Sequence, residues 1–377
     1  MAGGGLLVAA PDKYRGSLSA TAVAAAMAAG AAAAGWDTLE VPLADGGEGT
    51  LEVLGGANSH TRVTGPLGEP VDAAWRLDGD RAVIEAAAAA GLVLAGGAAG
   101  NDPLAATTTG VGELIAAAAE RGAREVIVAL GGSASTDGGA GAVEALGGRR
   151  FAELGVTVRV ACDVTTCFLD AARVFAPQKG ADPAQVEVLG ERLVACAKRY
   201  RATLGVDVAR LAGSGAAGGL AGGLAALGAR LESGFELVGA LVGLDRALDT
   251  AAKRSPGPGC SAEPGAGCAQ RAGRRSSAVA SRAGAVATGE GLLDATSLAG
   301  KVVGGVATHA GRLGLPVLAV VGRSALDPGE HPDGVEVVSL SDTYGAARSW
   351  GETAHLVSEA TADWLGRLER LGRLERG

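Results

Sequence analysis

The chain reads as an open α/β protein with a mostly parallel sheet and a second α/β domain, and three observations predict this. Short apolar runs of β-branched character recur, each ending in a polar or glycine-rich turn. Helical patterns lie between them, the alternation of a parallel sheet with crossover helices. One stretch breaks the alternation with closely spaced turns.

Taken in order, "LLVAAPD" (6–12) is the first strand, followed by a cation-bearing turn and a small-residue helix through "TAVAAAMAAG". Residues 61–86, "TRVTGPLGEPVDAAWRLDGDRAVIEA", hold three short runs separated by "PLGEP" and "LDGD", a β-meander that opens a second domain. A helix over 107–123 ends at Gly122 and feeds the strand "EVIVALGG" (125–132), where the chain is expected to return to the first sheet. "VTVRVACDV" (156–164) is the next strand; a glycine-opened helix spans 213–230, and "LESGFELVGALVG" rejoins the second domain. The tract 253–284 is rich in Pro, Gly, Ser and Arg without periodicity, and a structureless loop of that length is uncommon inside a compact domain. The strands "GAVATGEG" (284–291), "PVLAVVGR" (316–323) and "VEVVSLSD" (335–342) follow. The C-terminus repeats GRLER in an amphipathic helix whose Trp364, Leu365, Leu368 and Leu371 recur at helical spacing, for packing or, as the alternative, a homodimer contact.

Composition limits the partners. A net charge of −8 offers no general field for a polyanion, so neither nucleic acid nor an anionic membrane is expected. No apolar run reaches the ~20 residues of a membrane span, and the five cysteines form neither a paired CxxC arrangement nor a disulfide scaffold. The expected location is cytoplasmic, with a small molecule as partner.

Ligands of open α/β sheets sit at the carboxyl ends of strands, where this chain places Asp12, Asp137, Asp163, Glu290 and Asp342. In "GGSASTDGG" (131–139), Gly131, Gly132 and Ser133 suit a phosphate, because glycine lets backbone N–H groups approach an anion and the next helix adds its positive end. The alternative is a flexible turn capped by Thr136 or Asp137. Lys13, Arg15 and Ser17 stand before a helix as an anion clamp, or as solvated cations beside a capping hydroxyl. Asp45 and Glu48 lie among the glycines of "LADGGEGT", a pairing suited to magnesium or to a solvated turn. Lys179 sits in "FAPQKGA", and "TGEGLLDATSLAGK" gathers Glu290, Asp294, Ser297 and Lys301; carboxylates with a lysine recur in phosphoryl transfer. Gly213, Gly215 and Gly218 satisfy G-x-G-x-x-G, but no clear strand precedes them and no acid follows at the spacing a dinucleotide site needs. P-loop, protein-kinase and α/β-hydrolase signatures are absent.

PDKYRGSLSA, ADGGEGT, VTGPLGE, NDPLAATTTGVGELI, LGGSASTDGGAG, VRVACDV, FAPQKGA, GSGAAGGL and TGEGLLDATSLAGK, in this order, resemble the bacterial type of glycerate kinase across nearly the whole chain. The resemblance implies a Rossmann-like three-layer domain paired with a second α/β domain around an active-site cleft. It also implies phosphorylation of D-glycerate, commonly at the 2-hydroxyl, with ATP and Mg²⁺ and release of ADP. Under it, 1–55, 107–205 and 284–377 form the Rossmann-like domain, 56–106 with 206–252 form the second, and 253–283 is a disordered insertion. Asp137, Asp163 and Glu290 are candidates for holding Mg²⁺ or accepting the hydroxyl proton, with Asp294 a further metal ligand. Lys179 or Lys301 offsets phosphoryl charge, Arg15 and Ser17 with Asp45 and Glu48 meet the substrate, and the turns at Gly131–Ser133 and Gly213–Gly218 cradle the nucleotide.

The chain departs from the family pattern in Arg15 for lysine and in Thr136 before Asp137 for asparagine. It is also shorter between the glycine loop and "ACDV", and longer before "TGEG". Three readings follow: an active glycerate kinase, a relative that binds nucleotide or hydroxy acid without turnover, and a nicotinamide-dependent oxidoreductase using GSGAAG.

Overall fold

The computed structural model describes residues 5–254, 284–298 and 300–374, so the insertion expected at 253–283 lies outside the described residues from 255 onward. The chain divides into two compact units, Leu43–Val242 and the remainder on either side of it.

The unit built from the two ends of the chain holds a wholly parallel five-stranded sheet. Its strands are β1 (Leu6–Ala9), β2 (Asp37–Glu40), β9 (Gly284–Leu293), β10 (Val317–Ser324) and β11 (Val335–Ser339), in the order β11-β10-β9-β1-β2. β1 and the first four residues of β9 are continuous apolar, buried runs, the pattern of a parallel strand covered on both faces. Ser19 caps the helix Ala20–Ala33 by accepting the Ala22 N–H, and that helix packs on the C-terminal helix Thr353–Leu374. Leu7, Met27, Leu318, Val320, Leu356, Trp364 and Leu365 form the shared core. The C-terminal stripe is thus a packing face through Trp364 and Leu365, while Leu371 is exposed.

The Leu43–Val242 unit holds a six-stranded sheet, with β3 (Ser59–Thr64), β4 (Pro70–Asp78), β5 (Arg81–Glu85), β6 (Glu125–Ala129), β7 (Thr157–Ala161) and β8 (Arg230–Glu232) in sequential order. The meander is antiparallel from β3 to β5, and β5 to β8 run parallel. β6 therefore does not return to the first sheet: Arg81–Glu85 pairs with Glu125–Ala129 residue for residue. The connection runs through the helix Thr109–Glu120, a βαβ crossover that fits a parallel neighbour in either sheet, and the pairing with β5 decides which. Residues 107–205, together with 43–55, accordingly belong with the meander and not with 1–42, and 243–252 fall in the other unit. Trp75, Ile84, Leu114, Ile115, Phe151, Phe168 and Tyr200 fill this core.

Candidate functional site

In the Leu43–Val242 unit the loop that follows β6 is organised by Asp137. One carboxylate oxygen accepts the Thr108 N–H at 2.9 Å, the Thr108 hydroxyl at 2.8 Å and the Gly141 N–H at 3.1 Å; the other accepts the Gly139 N–H at 2.9 Å. Four donors satisfy it, and they tie the loop to the start of two helices. Lys179 is buried in the same loop, donating to the Ser133 hydroxyl at 3.0 Å and to the Ser135 carbonyl. Burial pushes its pKa down to about 7, with the charge of Asp137 opposing. Its ammonium pins the turn from inside.

The turn at 213–219 packs directly on that loop. Gly218 has φ +67°, and a Cβ there would lie 2.1 Å from the Ser135 carbonyl oxygen, so only glycine fits. The amides of Ser214, Gly215, Ala216 and Gly219 donate to the carbonyls of Leu211, Thr166, Gly213 and Gly215. Those four amides are committed within the fold, which accounts for the glycines by backbone packing. No strand leads into the turn, as the sequence indicated.

Asp163, at the carboxyl end of β7, accepts the Gly234 N–H at 2.8 Å and so holds the start of the helix Gly234–Val242. Asp45 accepts the Gly47 N–H at 3.2 Å, and Glu48 is exposed, its backbone N 2.7 Å from where a Gly131 Cβ would stand. The structure thus groups Asp45, Glu48, Gly131 and Asp163 around the ends of β6 and β7.

The second constellation lies in the other unit. β1 leads outward to β2 and β9 outward to β10 and β11, so the β1/β9 pair is the topological switch point of the parallel sheet, where such folds open a crevice for ligands. Both strands end there in acids. The Asp12 N–H donates to the Gly289 carbonyl at 2.8 Å, and the Asp12 carboxylate, nearly buried, accepts the Lys13 N–H at 2.7 Å. Gly289 has no room for a side chain: a Cβ would meet the Val320 carbonyl oxygen at 2.0 Å and the Tyr14 hydroxyl at 2.8 Å. Tyr14 donates that hydroxyl to Val320 at 2.6 Å, and burial, then the charge of Glu290, holds it un-ionised.

Glu290 is the acid of this centre whose pKa is raised. Its Oε1 is buried with no hydrogen-bond partner among the described residues. Burial raises its pKa to about 7; the Ser297 hydroxyl and Lys301 oppose this, and Asp12 and Asp294 reinforce it by like-charge repulsion. Asp294 behaves oppositely. One of its oxygens accepts from the Thr296 hydroxyl at 2.6 Å and the Thr296 N–H at 2.8 Å, and the Thr296 hydroxyl leads the causes holding its pKa below the ordinary carboxylate value. Lys301 stands at the start of the helix Val302–Arg312. Ser17 shares a hydrogen bond with Thr353 at 2.8 Å, and Arg15 is exposed on the turn between Tyr14 and Leu18. Tyr14 is the member of this centre absent from the sequence-derived candidates, among which Asp12 stands at a strand end without an assigned role.

Asp163 and Asp294, the expected metal pair, belong to different units and separate hydrogen-bond groups. Among the described residues no three His, Cys, Asp or Glu side chains cluster as metal ligands. Mg²⁺ does not require three, since it takes one or two carboxylates besides phosphate oxygens and water. The hard-oxygen set at the switch point, whose acids repel one another around a buried oxygen lacking a donor, fits such a cation.

A parallel sheet with an acid and lysine centre at its switch point, accompanied by a glycine and hydroxyl-rich loop in a second unit, defines an α/β enzyme of the type that handles small anionic substrates. Known proteins resolve this further. A model described as the Glycerate kinase family matches residues 7–157, 150–260 and 258–367. The chain is 38% identical over 372 residues to "Glycerate 2-kinase" of Escherichia coli (strain K12), covering 88% of this chain and 89% of that one. It is 35% identical over 360 residues to "Glycerate kinase" of Bacillus subtilis (strain 168), covering 85% and 86%. A crystal structure described as "putative glycerate kinase 2 from Salmonella typhimurium LT2" superposes with a TM-score of 0.75 at 34% identity, covering 98% and 99%. This chain belongs to the glycerate kinase family. The family match falls in three segments that overlap at 150–157 and 258–260.

Proposed function

We propose that the enzyme transfers the γ-phosphoryl group of ATP to D-glycerate, at the 2-hydroxyl, and releases ADP. Glu290 is the observation that carries this reading. A carboxyl with a pKa near 7 and an oxygen lacking a donor is matched to accept a proton from an alcohol near neutrality. Glu290 accepts the glycerate hydroxyl proton, and Tyr14 and Gly289 fix the strand that presents it. Lys13 and Lys301 meet the negative charge of the reacting groups, and Arg15 on its exposed turn meets the glycerate carboxylate. Asp12 and the second oxygen of Asp294 would hold Mg²⁺, which neutralises phosphate charge when bound.

In the Leu43–Val242 unit, the Gly131–Ser133 turn contributes backbone to nucleotide phosphates, and Lys179 and Asp137 hold that turn in shape. Asp163 supports the same loop edge through the Gly234 helix.

An ADP-release assay with Mg·ATP tests the reading, comparing D-glycerate, L-glycerate and no acid, with ³¹P NMR of the product. Release specific to D-glycerate and a 2-phosphoglycerate resonance are expected. Thermal stabilisation by ATP or D-glycerate without ADP release would instead assign the chain to binding without turnover.

A further inference from the structure

Behind the glycine loop, on the side of the helix Pro183–Leu204, lies a cavity of about 350 Å³ contained within the Leu43–Val242 unit. Its helix wall is a single stripe: Leu189, Arg192, Cys196 and Arg199 are spaced three, four and three residues apart and so share one face. Leu104, Ala106 and Ala140 make an apolar floor, and Thr136 and Asp137 close the far side.

Three features make it a built site rather than a gap. Thr136 is 1% exposed, yet its hydroxyl has no hydrogen-bond partner among the described residues, an expensive state for a buried polar group. The Asp137 carboxylate beside it is already satisfied by four donors. The two guanidiniums are oriented but not saturated. Arg192 gives one N–H to the Leu104 carbonyl at 2.6 Å, and Arg199 lies 5.7 Å from the centre of the Tyr200 ring, with contacts to exposed Glu144 at 3.4 Å and to the Cys196 Sγ at 3.9 Å. Each guanidinium has five N–H donors, so most remain for a ligand.

We propose that this cavity binds a short aliphatic dianion, with one acid group on Arg192 and the other on Arg199. Arg192 and Arg199 are two helical turns apart, about 10 Å along the axis, which suits an acid at each end of a short chain rather than a single carboxylate. The apolar floor receives the carbon skeleton and discriminates against a fully hydrated inorganic ion. The ligand touches the loop that Asp137 organises, so the site is placed to tune that loop. It belongs to a different unit from the switch-point acids and does not depend on the reaction proposed for them.

The test is thermal shift and isothermal titration of the full chain with succinate and with phosphoenolpyruvate, using propionate and inorganic phosphate as single-ended controls. At least one dianion is expected to raise Tm and bind at least tenfold more tightly than either control. The R192Q/R199Q pair, and separately A195F, which fills the cavity from an exposed position, should each weaken that binding at least tenfold while the KM for D-glycerate stays unchanged. The proposal is overturned if neither dianion binds better than the controls, or if binding survives in A195F. Should the arginine pair fail to fold, the wild-type titration and A195F decide.

Discussion

Asp137 and Glu290 occupy equivalent places in two units of one chain. Each is an acid in a glycine-rich segment at the carboxyl end of a parallel strand, and composition gives no way to rank them. Their surroundings differ completely. Asp137 collects four N–H and O–H donors that would otherwise be orphaned at two helix starts. Glu290 has a buried oxygen with no donor and two acids pressing on it. An acid whose hydrogen-bonding capacity is used up within the fold is a joint of the structure; an acid with one buried oxygen lacking a donor, crowded by like charge, keeps its reactivity for a substrate.

The largest effect that could break this contrast is on rate. Glu290→Gln is expected to lower D-glycerate-dependent ADP release by about a thousandfold, the upper range for a general base. Asp163→Asn keeps an oxygen for the Gly234 N–H and should lose far less. If Asp163→Asn lost as much as Glu290→Gln, the assignment of proton acceptor would pass to Asp163.

On stability the order reverses. Asp137→Ala strands four donors and should cost ~3 kcal/mol or more in urea denaturation, since each buried unsatisfied group costs about 1–3 kcal/mol. Glu290→Gln should leave the denaturation midpoint within about 1 kcal/mol of wild type or above it, because a neutral amide suits that buried site better than a carboxylate. Equal midpoints for Asp137→Ala and wild type would erase the distinction.

Gly218→Ala sharpens the account of the second glycine turn. Its Cβ meets the Ser135 carbonyl at 2.1 Å in a left-handed backbone, so a loss of about 2 kcal/mol or more is expected with no gain in nucleotide affinity. Weaker ATP binding with unchanged stability would restore that turn as a phosphate cradle.

The smallest effect is a slope. The Lys179 pKa is lowered to about 7 in the fold against 10.5 for a free lysine, so between those values the unfolded chain holds a proton that the folded chain lacks. Its contribution to stability therefore rises with pH from about 7 toward 10 and is level below 7. Lys179→Met should flatten that rise in a pH series of urea midpoints. A difference between the two proteins that does not vary with pH would show that Lys179 stays charged in the fold.

The long apolar strands and the meander were legible because periodicity and turn residues reported them. β2 and β8 were not: "DTLE" and "RLE" are short and polar, since both strands lie at sheet edges. The placement of β6 was missed for a different reason. A βαβ crossover can join any two parallel strands, and only pairing decides that Glu125–Ala129 lies beside Arg81–Glu85. Of the candidate site, the positions of the acids were visible and their states were not. Whether Asp137 has four donors and Glu290 a buried oxygen with none depends on Thr108, Asp12 and Asp294, which no spacing rule connects to them.

The account rests on Glu290 as the reacting carboxylate, so the most direct test is D-glycerate-dependent ADP release by Glu290→Gln and wild type, each with its denaturation midpoint. A loss of about a thousandfold in rate with the fold intact is the predicted result. A rate within about tenfold of wild type would contradict it.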